Sequence, residues 1–306
     1  MERKILLVAH GDLDGIISAV LLIEKICHKK NIGQDEMLNQ LRIKFAQPFH
    51  LEKVEIPTTI EEIYVVDIGI NNQDPFQTED FIRKTGTKLI RWYDHHQGWL
   101  AFLSKMPGEV RDKFVIDENA LACASIINTS NELTKDAIAA DTREIELSKT
   151  GQLIIQAIKS NRGDDSIKMF AVMYLLGDER WQDLLEESAS RYREVQLPAT
   201  LKLVEQNCRI ENGIAIVDVR NATEPFDRAL LSAMAKKLSP KKTVIILRKG
   251  GRGEEIDIFT SLAIDLMEIF GLSGGGHSNR ISIPAITWSQ DGAIRRLKEA
   301  ISKITP

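Results

Sequence analysis

The stretch Lys4-Ile5-Leu6-Leu7-Val8-Ala9-His10-Gly11-Asp12-Leu13-Asp14-Gly15 joins an apolar run to an alternation of histidine and aspartate. Ile5 to Ala9 are apolar at consecutive positions, which suits a strand in a parallel sheet covered on both faces. Beyond it, His10, Asp12 and Asp14 occupy every second position, so the three side chains can point one way as the chain leaves the strand. Gly11 and Gly15 let the backbone turn tightly and begin a helix close to a ligand. Ser18 to His28 has the spacing of an amphipathic helix.

The same pattern recurs downstream. Arg42 to Phe49, Glu62 to Gly69 and Lys88 to His95 read as strands, and two of them end in the same chemistry. Asp67-Ile68-Gly69 closes one and Asp94-His95-His96 closes the other. Strand, helix and strand in repeated order predict a doubly wound parallel-sheet α/β domain, with ligands gathering at the carboxyl ends of the strands. From Leu121 to about Leu185 the pattern is mostly helical, so this first domain is expected to span 1–185. A charged segment, 186–208, reads as a linker helix broken by Pro198. Beyond it, Gly213 to Arg220, Thr243 to Arg248, Glu255 to Ser261 and Arg280 to Ile286 read as strands. Phe226 to Leu238 and Asp291 to Ile304 read as helices. A second, smaller α/β domain over 209–306 follows from this.

Composition narrows the class. A hydrophobic content of 43% and a charged content of 27% over 306 residues are those of a globular protein with room for two cores. No apolar run approaches the roughly 20 residues that span a bilayer. The short apolar start runs straight into Gly11-Asp12 without a small-residue cleavage site, so it reads as a first strand of a cytoplasmic protein and not as a signal peptide. Cys27, Cys123 and Cys208 are far apart and suit neither a disulfide framework nor a zinc knuckle. The net charge of -4 argues against a protein coated for long duplex binding. Locally the balance differs: Lys236, Lys237, Lys241, Lys242, Arg248, Lys249 and Arg252 form a basic run uninterrupted by acids. Such a run is ordinarily a solvated face, with a local phosphate-binding surface as the alternative.

Each cluster has a plain reading when taken alone. Asp67 before a glycine is a turn signal, and Asp12 or Asp14 would serve as a helix N-cap. Together they say more, because His10, His95, His96 and His277 are four of only six histidines and three of them fall at strand ends. Mixed imidazole and carboxylate donors suit Mn²⁺, Co²⁺ or Zn²⁺ better than Ca²⁺. There are more carboxylates than one ion needs. A shared aspartate could bridge two ions about 3.5–4 Å apart, the arrangement used in phosphate ester hydrolysis.

These motifs resemble those of the DHH phosphoesterases, in the family's order and at compatible spacings. Gly274-Gly275-Gly276-His277 looks like the signature of the DHH-associated C-terminal domain, so the resemblance spans the chain. It implies that His10 and Asp12 hold one metal, Asp14 and His95 the other, and that Asp67 bridges them. It implies His96 as the acid that contacts the scissile phosphate, with Asp94 orienting its neighbours from behind. The family's fourth motif carries another metal-binding aspartate. Asp141, in Ala137-Ile138-Ala139-Ala140-Asp141, is the best match, with Asp136, Asp164 and Asp165 as rivals. The metal site is expected in a cleft between the two domains, with Gly274, Gly275, Gly276 and His277 holding the non-scissile part of the substrate.

Two departures bear on the substrate. Many relatives carry an arginine in the strand before the helix that precedes the glycine loop; Ile258-Phe259-Thr260-Ser261-Leu262 has none. After His277 stands Ser278-Asn279-Arg280, where an alanine-rich stretch is common. Arg280, Arg248 or Arg252 is expected to supply the charge. The expected activity is hydrolysis of short single-stranded RNA or DNA with two Mn²⁺ ions, Mg²⁺ or Co²⁺ being compatible. The alternative is a phosphatase or pyrophosphatase acting on a small phosphorylated nucleotide such as phosphoadenosine phosphate. No OB-fold module for a processive nuclease is visible. An inactive scaffold would be expected to have lost the ligands that this chain keeps. No membrane partner is expected, and a homodimer stays open.

Overall fold

The structure is a computed structural model, and it describes residues 3–71, 74–142, 145–161, 163–250, 253–272, 279–285 and 287–303. The chain separates into two compact units, Met1–Ser190 and Arg191–Pro306.

In the first unit, β1 (Ile5–Ala9) leads into α1 (Leu13–Lys30), followed by α2 (Gln34–Gln40) and β2 (Leu41–Phe45). After β3 (Glu62–Val66) come α3 (Pro75–Thr85), β4 (Leu89–Asp94), α4 (Trp99–Leu103), α5 (Gly108–Arg111) and β5 (Phe114–Ile116). A helical block closes the unit: α6 (Cys123–Ile127), α7 (Glu132–Thr142), α8 (Lys149–Ser160), α9 (Asp165–Leu175) and α10 (Gln182–Arg191). The five strands form one sheet in the order β2-β1-β3-β4-β5, every neighbouring pair parallel. This is the expected doubly wound α/β sheet. Its order reverses between β1 and β3, so the switch point lies between the ends of those two strands.

The consecutive apolar residues of β1 explain why the sheet is covered twice. Ile5, Leu7 and Ala9 pack with α1 and the helical block on one face, while Leu6 and Val8 pack with Phe81, Trp92 and Trp99 on the other. Boundaries shift where local chemistry overrides the apolar pattern. β2 stops at Phe45 because Pro48, which has no N–H for a ladder, opens a 3-10 turn over Pro48–Lys53. β3 stops at Val66 because Asp67 turns out of the strand with φ 57. The helix expected from Ser18 begins earlier, at Leu13, with Asp12 as its N-cap accepting from the Gly15 N–H.

In the second unit, the helical segment after α10 passes through a π-turn (Tyr192–Gln196) into α11 (Leu197–Asn207). Gln196 and Leu197 both keep helical backbone, so the segment is not broken at Pro198, as the sequence suggested, but runs on through it. Then come β6 (Cys208–Glu211), β7 (Ile214–Asp218), α12 (Arg228–Leu238), β8 (Thr243–Gly250), β9 (Gly253–Thr260), α13 (Leu266–Phe270), β10 (Arg280–Pro284) and α14 (Gln290–Ser302). The sheet order is β10-β9-β8-β7-β6, with β7 and β8 parallel and the other pairs antiparallel. Ile256, Ile258, Ile281 and Ile283 pack against α13 and α14 on one face, and Val217, Val244 and Ile246 face the Leu231 side of α12.

Candidate metal centre

Four chain segments deliver the motif residues to one place. β1 ends at Ala9, so His10 and Asp12 emerge at the carboxyl edge of the sheet, and Asp14 rides on the first turn of α1. Gly15 has to be glycine, because a Cβ there would lie 2.4 Å from the His10 carbonyl oxygen. Asp67 follows β3, and Asp94, His95 and His96 close and follow β4. Asp141 comes from the last turn of α7.

Among the described residues, three groups of donors lie close enough to hold an ion. One is Asp67, Asp94, His95 and His96, in which Asp94 is taken up by His96 and Trp99. Two sets remain. His10, Asp12 and Asp67 form one, and Asp14, His95 and Asp141 form the other; within each set the ligating atoms lie within 4.8 Å of one another. Asp67 faces both. Its Oδ2 is 3.7 Å from His10 Nδ1, and its Oδ1 is 3.5 Å from His95 Nε2. That posture depends on the left-handed backbone at Asp67, a region that costs a non-glycine residue roughly 1–2 kcal/mol and that aspartate tolerates better than most. His95 Nε2 also faces Asp14 Oδ2 at 3.6 Å and Asp141 Oδ2 at 3.1 Å. All of the residues assigned to the metals by sequence, including Asp141, are thus brought together.

The surroundings favour cations. Burial pushes the Asp14 carboxyl up, and Asp141 beside it adds to the rise, to about 6. Asp67 is driven well above the usual carboxylate range by burial and then by Asp14 and Asp12. Burial works to lower the His10 imidazole, yet Asp12 and Asp67 outweigh it and carry it up to about 10. His95 is pushed up to about 12, burial again opposing and Asp141 and Asp67 prevailing. This much buried acid is costly without positive charge, which in the metal-free chain the raised His10 and His95 imidazoles supply. Two buried atoms here, His10 Nδ1 and Asp67 Oδ1, also lack a hydrogen-bond partner. His10 Nδ1 is 2.8 Å from Asp12 Oδ2 without hydrogen-bond alignment, as befits two donors aimed at a shared third body. The donor set therefore fits divalent ions.

Around these sets lies a supporting layer that sequence reading reached only in part. Asp94 is buried and bonds His96 Nδ1 through Oδ1 at 2.8 Å, while its Oδ2 accepts the Trp99 indole N–H. Burial would raise the Asp94 carboxyl, but His96 wins and holds it below its ordinary value. Asp14 accepts from the main-chain N–H groups of Cys123 at 2.6 Å and Ala124 at 3.0 Å, and from Ser18 Oγ at 3.1 Å. His10 Nε2 meets Gln47 Oε1 at 3.0 Å. Lys168, buried on α9 and paired with Asp165 at 2.7 Å, lies where a side chain on Gly11 would otherwise go. The motifs carry no signal for Trp99, Gln47 or Lys168.

The rivals for the fourth motif do other work. Asp136 accepts from the Ser148 N–H at 2.7 Å at the start of α8, Asp164 caps α9, and Asp165 pairs with Lys168. Gly274, Gly275, Gly276 and His277 lie outside the described residues, as does Arg252. Arg280 starts β10, opposite Phe259. Arg248 is not an uncompensated charge, for its guanidinium is folded onto Asp257, at 2.6 Å, and Glu255, both buried. Arg248 has no acid beside it along the run but is paired with two in space.

No protein-family model matches the sequence, and no curated protein matches it. Solved structures do. A pGpG-specific phosphodiesterase from Vibrio cholerae is 14% identical over 99% of both chains, with a TM-score of 0.59. The DHH domain of a protein assigned to a family of ribosomal proteins is 16% identical over 98% of this chain and 86% of that one, with a TM-score of 0.65. RecJ from Thermus thermophilus, in complex with Mn²⁺, is 13% identical over 99% of this chain and 52% of its own, with a TM-score of 0.59. At such identities the likeness establishes the architecture, and the architecture is that of the DHH-domain proteins.

Proposed function

We propose that the protein is a metal-dependent phosphodiesterase that hydrolyses short single-stranded oligonucleotides. The observation that carries this reading is Asp67, whose two oxygens face two separate donor sets at 3.7 and 3.5 Å. Phosphodiester hydrolysis uses such paired sites. His10, Asp12 and Asp67 would hold one divalent ion, and Asp14, His95, Asp141 and Asp67 the other, Mn²⁺ being the ion favoured, with Mg²⁺ or Co²⁺ as substitutes. When bound, the ions make water acidic and neutralise charge on phosphoryl oxygens.

The chain's own groups do the rest. Asp94 grips His96 through Nδ1, which fixes the ring and assigns its Nε2 to proton transfer to the leaving oxygen. Trp99 holds Asp94 in turn. Gly274, Gly275, Gly276, His277 and Arg280 are assigned the non-scissile part of the substrate. The structural likeness to a pGpG-specific phosphodiesterase over the full length of both chains favours very short substrates. No helix among the described residues is long and apolar enough to cross a membrane.

The test is to incubate purified protein and Mn²⁺ with pGpG, with di- to pentanucleotides and with phosphoadenosine phosphate. Release of nucleoside monophosphates from the oligonucleotides is the expected result. Silence on every oligonucleotide sinks the nuclease reading, and turnover of phosphoadenosine phosphate alone makes the protein a small-nucleotide phosphatase.

A further inference from the structure

The two candidate ligand histidines are held from behind in opposite senses. His95 bonds the main-chain carbonyl of Ala120 through Nδ1, at 3.1 Å, and turns Nε2 toward the carboxylates. His10 is reversed: its Nε2 meets Gln47 Oε1 at 3.0 Å, and its Nδ1 faces Asp12 and Asp67. An imidazole ligates a cation only through a nitrogen without a proton, and the hydrogen bond on its far side decides which nitrogen that is. An amide oxygen can only accept. With Gln47 Oε1 against it, Nε2 keeps its proton, and Nδ1 is the nitrogen left to give up its own and offer a lone pair to a cation.

We infer that Gln47 is a positioning residue that selects the His10 tautomer and so sets the cation affinity of one half of the centre. That half is His10, Asp12 and Asp67. The half built on Asp14, His95 and Asp141 shares Asp67 with it but not the control, because its histidine is held by a main-chain carbonyl that no side-chain exchange removes. The inference rests on the metal-centre reading above.

The local chain supports a held and not a wandering glutamine. The residue before it, Ala46, donates its N–H to the Ala9 carbonyl at 2.9 Å, which ties this loop to the end of β1. The residue after it, Pro48, has a restricted φ and starts the 3-10 turn. Gln47 is thus anchored on both sides directly beside His10. Its side chain is half-buried, with its amide oxygen against the His10 ring.

The experiment is calorimetric titration of Mn²⁺ into the full-length metal-free chain as wild type, Gln47→Ala and Gln47→Glu, with metal-free melting curves alongside. Wild type is expected to take two equivalents. Gln47→Ala should retain one equivalent at wild-type affinity and bind the other about 10–100-fold more weakly. Gln47→Glu, whose ionised carboxylate presents an acceptor oxygen as the amide does, should restore both. The inference is overturned if Gln47→Ala binds both equivalents as wild type does, if it loses both alike, or if Gln47→Glu is as weak as Gln47→Ala. A wild-type chain that binds no Mn²⁺ overturns the centre itself, and this inference with it.

Discussion

Stripped of metal, the centre weakens the fold as pH rises, and the sign follows from the charges around it. The Asp14 carboxyl is raised from 3.8 to about 6, first by burial and then by Asp141. Between those values the folded chain keeps a proton that the unfolded chain has released, so stability falls as pH increases. For a group this buried the loss reaches about 3 kcal/mol above pH 6. His10, raised from 6.5 to about 10 by Asp12 against the pull of burial, acts in the same direction. Its contribution is complete below pH 6.5 and drains away as pH climbs through about 10. Asp12 and Asp94 are held below 3.8, Asp12 by His10 and Asp94 by His96, each against the upward pull of burial. They add stability above 3.8 that is lost only in acid, outside the window in question. Bound divalent ions replace those protons and bind more tightly as pH rises. Thermal melts in excess EDTA should therefore fall between about pH 5 and pH 8, by about a few degrees, because the upper part of the Asp14 loss and the first part of the His10 loss both lie in that range. The same melts with Mn²⁺ should hold or climb. A melting temperature in EDTA that is level or rising across that range would refute the reasoning, because it would mean that these carboxylates are not packed against one another.

Three further outcomes are expected. Asp67→Ala should abolish turnover of whichever substrate the screen identifies and drop one Mn²⁺ equivalent; hydrolysis at the wild-type rate would remove Asp67 from its bridging place. Trp99→Phe keeps the ring in contact with Trp92 but removes the indole donor to Asp94. It should lower kcat about 10-fold with Mn²⁺ stoichiometry unchanged, and steady-state kinetics beside a metal titration separates the two effects. Gly15→Ala places a methyl group against the His10 carbonyl, where no side chain can move aside. It should cost about 1–3 kcal/mol or more in urea unfolding, and a variant as stable as wild type would mean that the loop is looser than drawn.

The motif residues were legible because each strand end carries chemistry that a core or a turn does not need. His10, Asp12, Asp14, Asp67, Asp94, His95 and His96 stand out by type and position, and Asp141 only as the best of four matches to the fourth motif that the family resemblance implies. What was illegible is what depends on distance along the chain. Gln47 lies 37 residues from His10, in a loop without periodicity. Trp99 reads as one more core aromatic, since packing against Trp92 and Phe114 accounts for its type without its N–H. Arg248 looked like part of a basic surface because its partners, Glu255 and Asp257, arrive only when β9 folds back on β8. The short strands β5 and β6 were missed for a related reason: three and four residues are too few to show a period.

Strand order, which no motif states, decides which side chains each of these residues faces. β3 lies between β1 and β4 in the sheet. A carboxylate at the end of β3 therefore has the β1 ligands on one side and the β4 ligands on the other, and either oxygen can serve a different set. Had β1 and β4 been neighbours, His10 and His95 would meet directly, and Asp67 would sit outside both sets as an ordinary turn residue. The left-handed backbone at Asp67 completes the arrangement by swinging the side chain across the switch point. Topology thus places an otherwise plain Asp-x-Gly between two donor sets, with its left-handed backbone aiming one carboxylate oxygen at each.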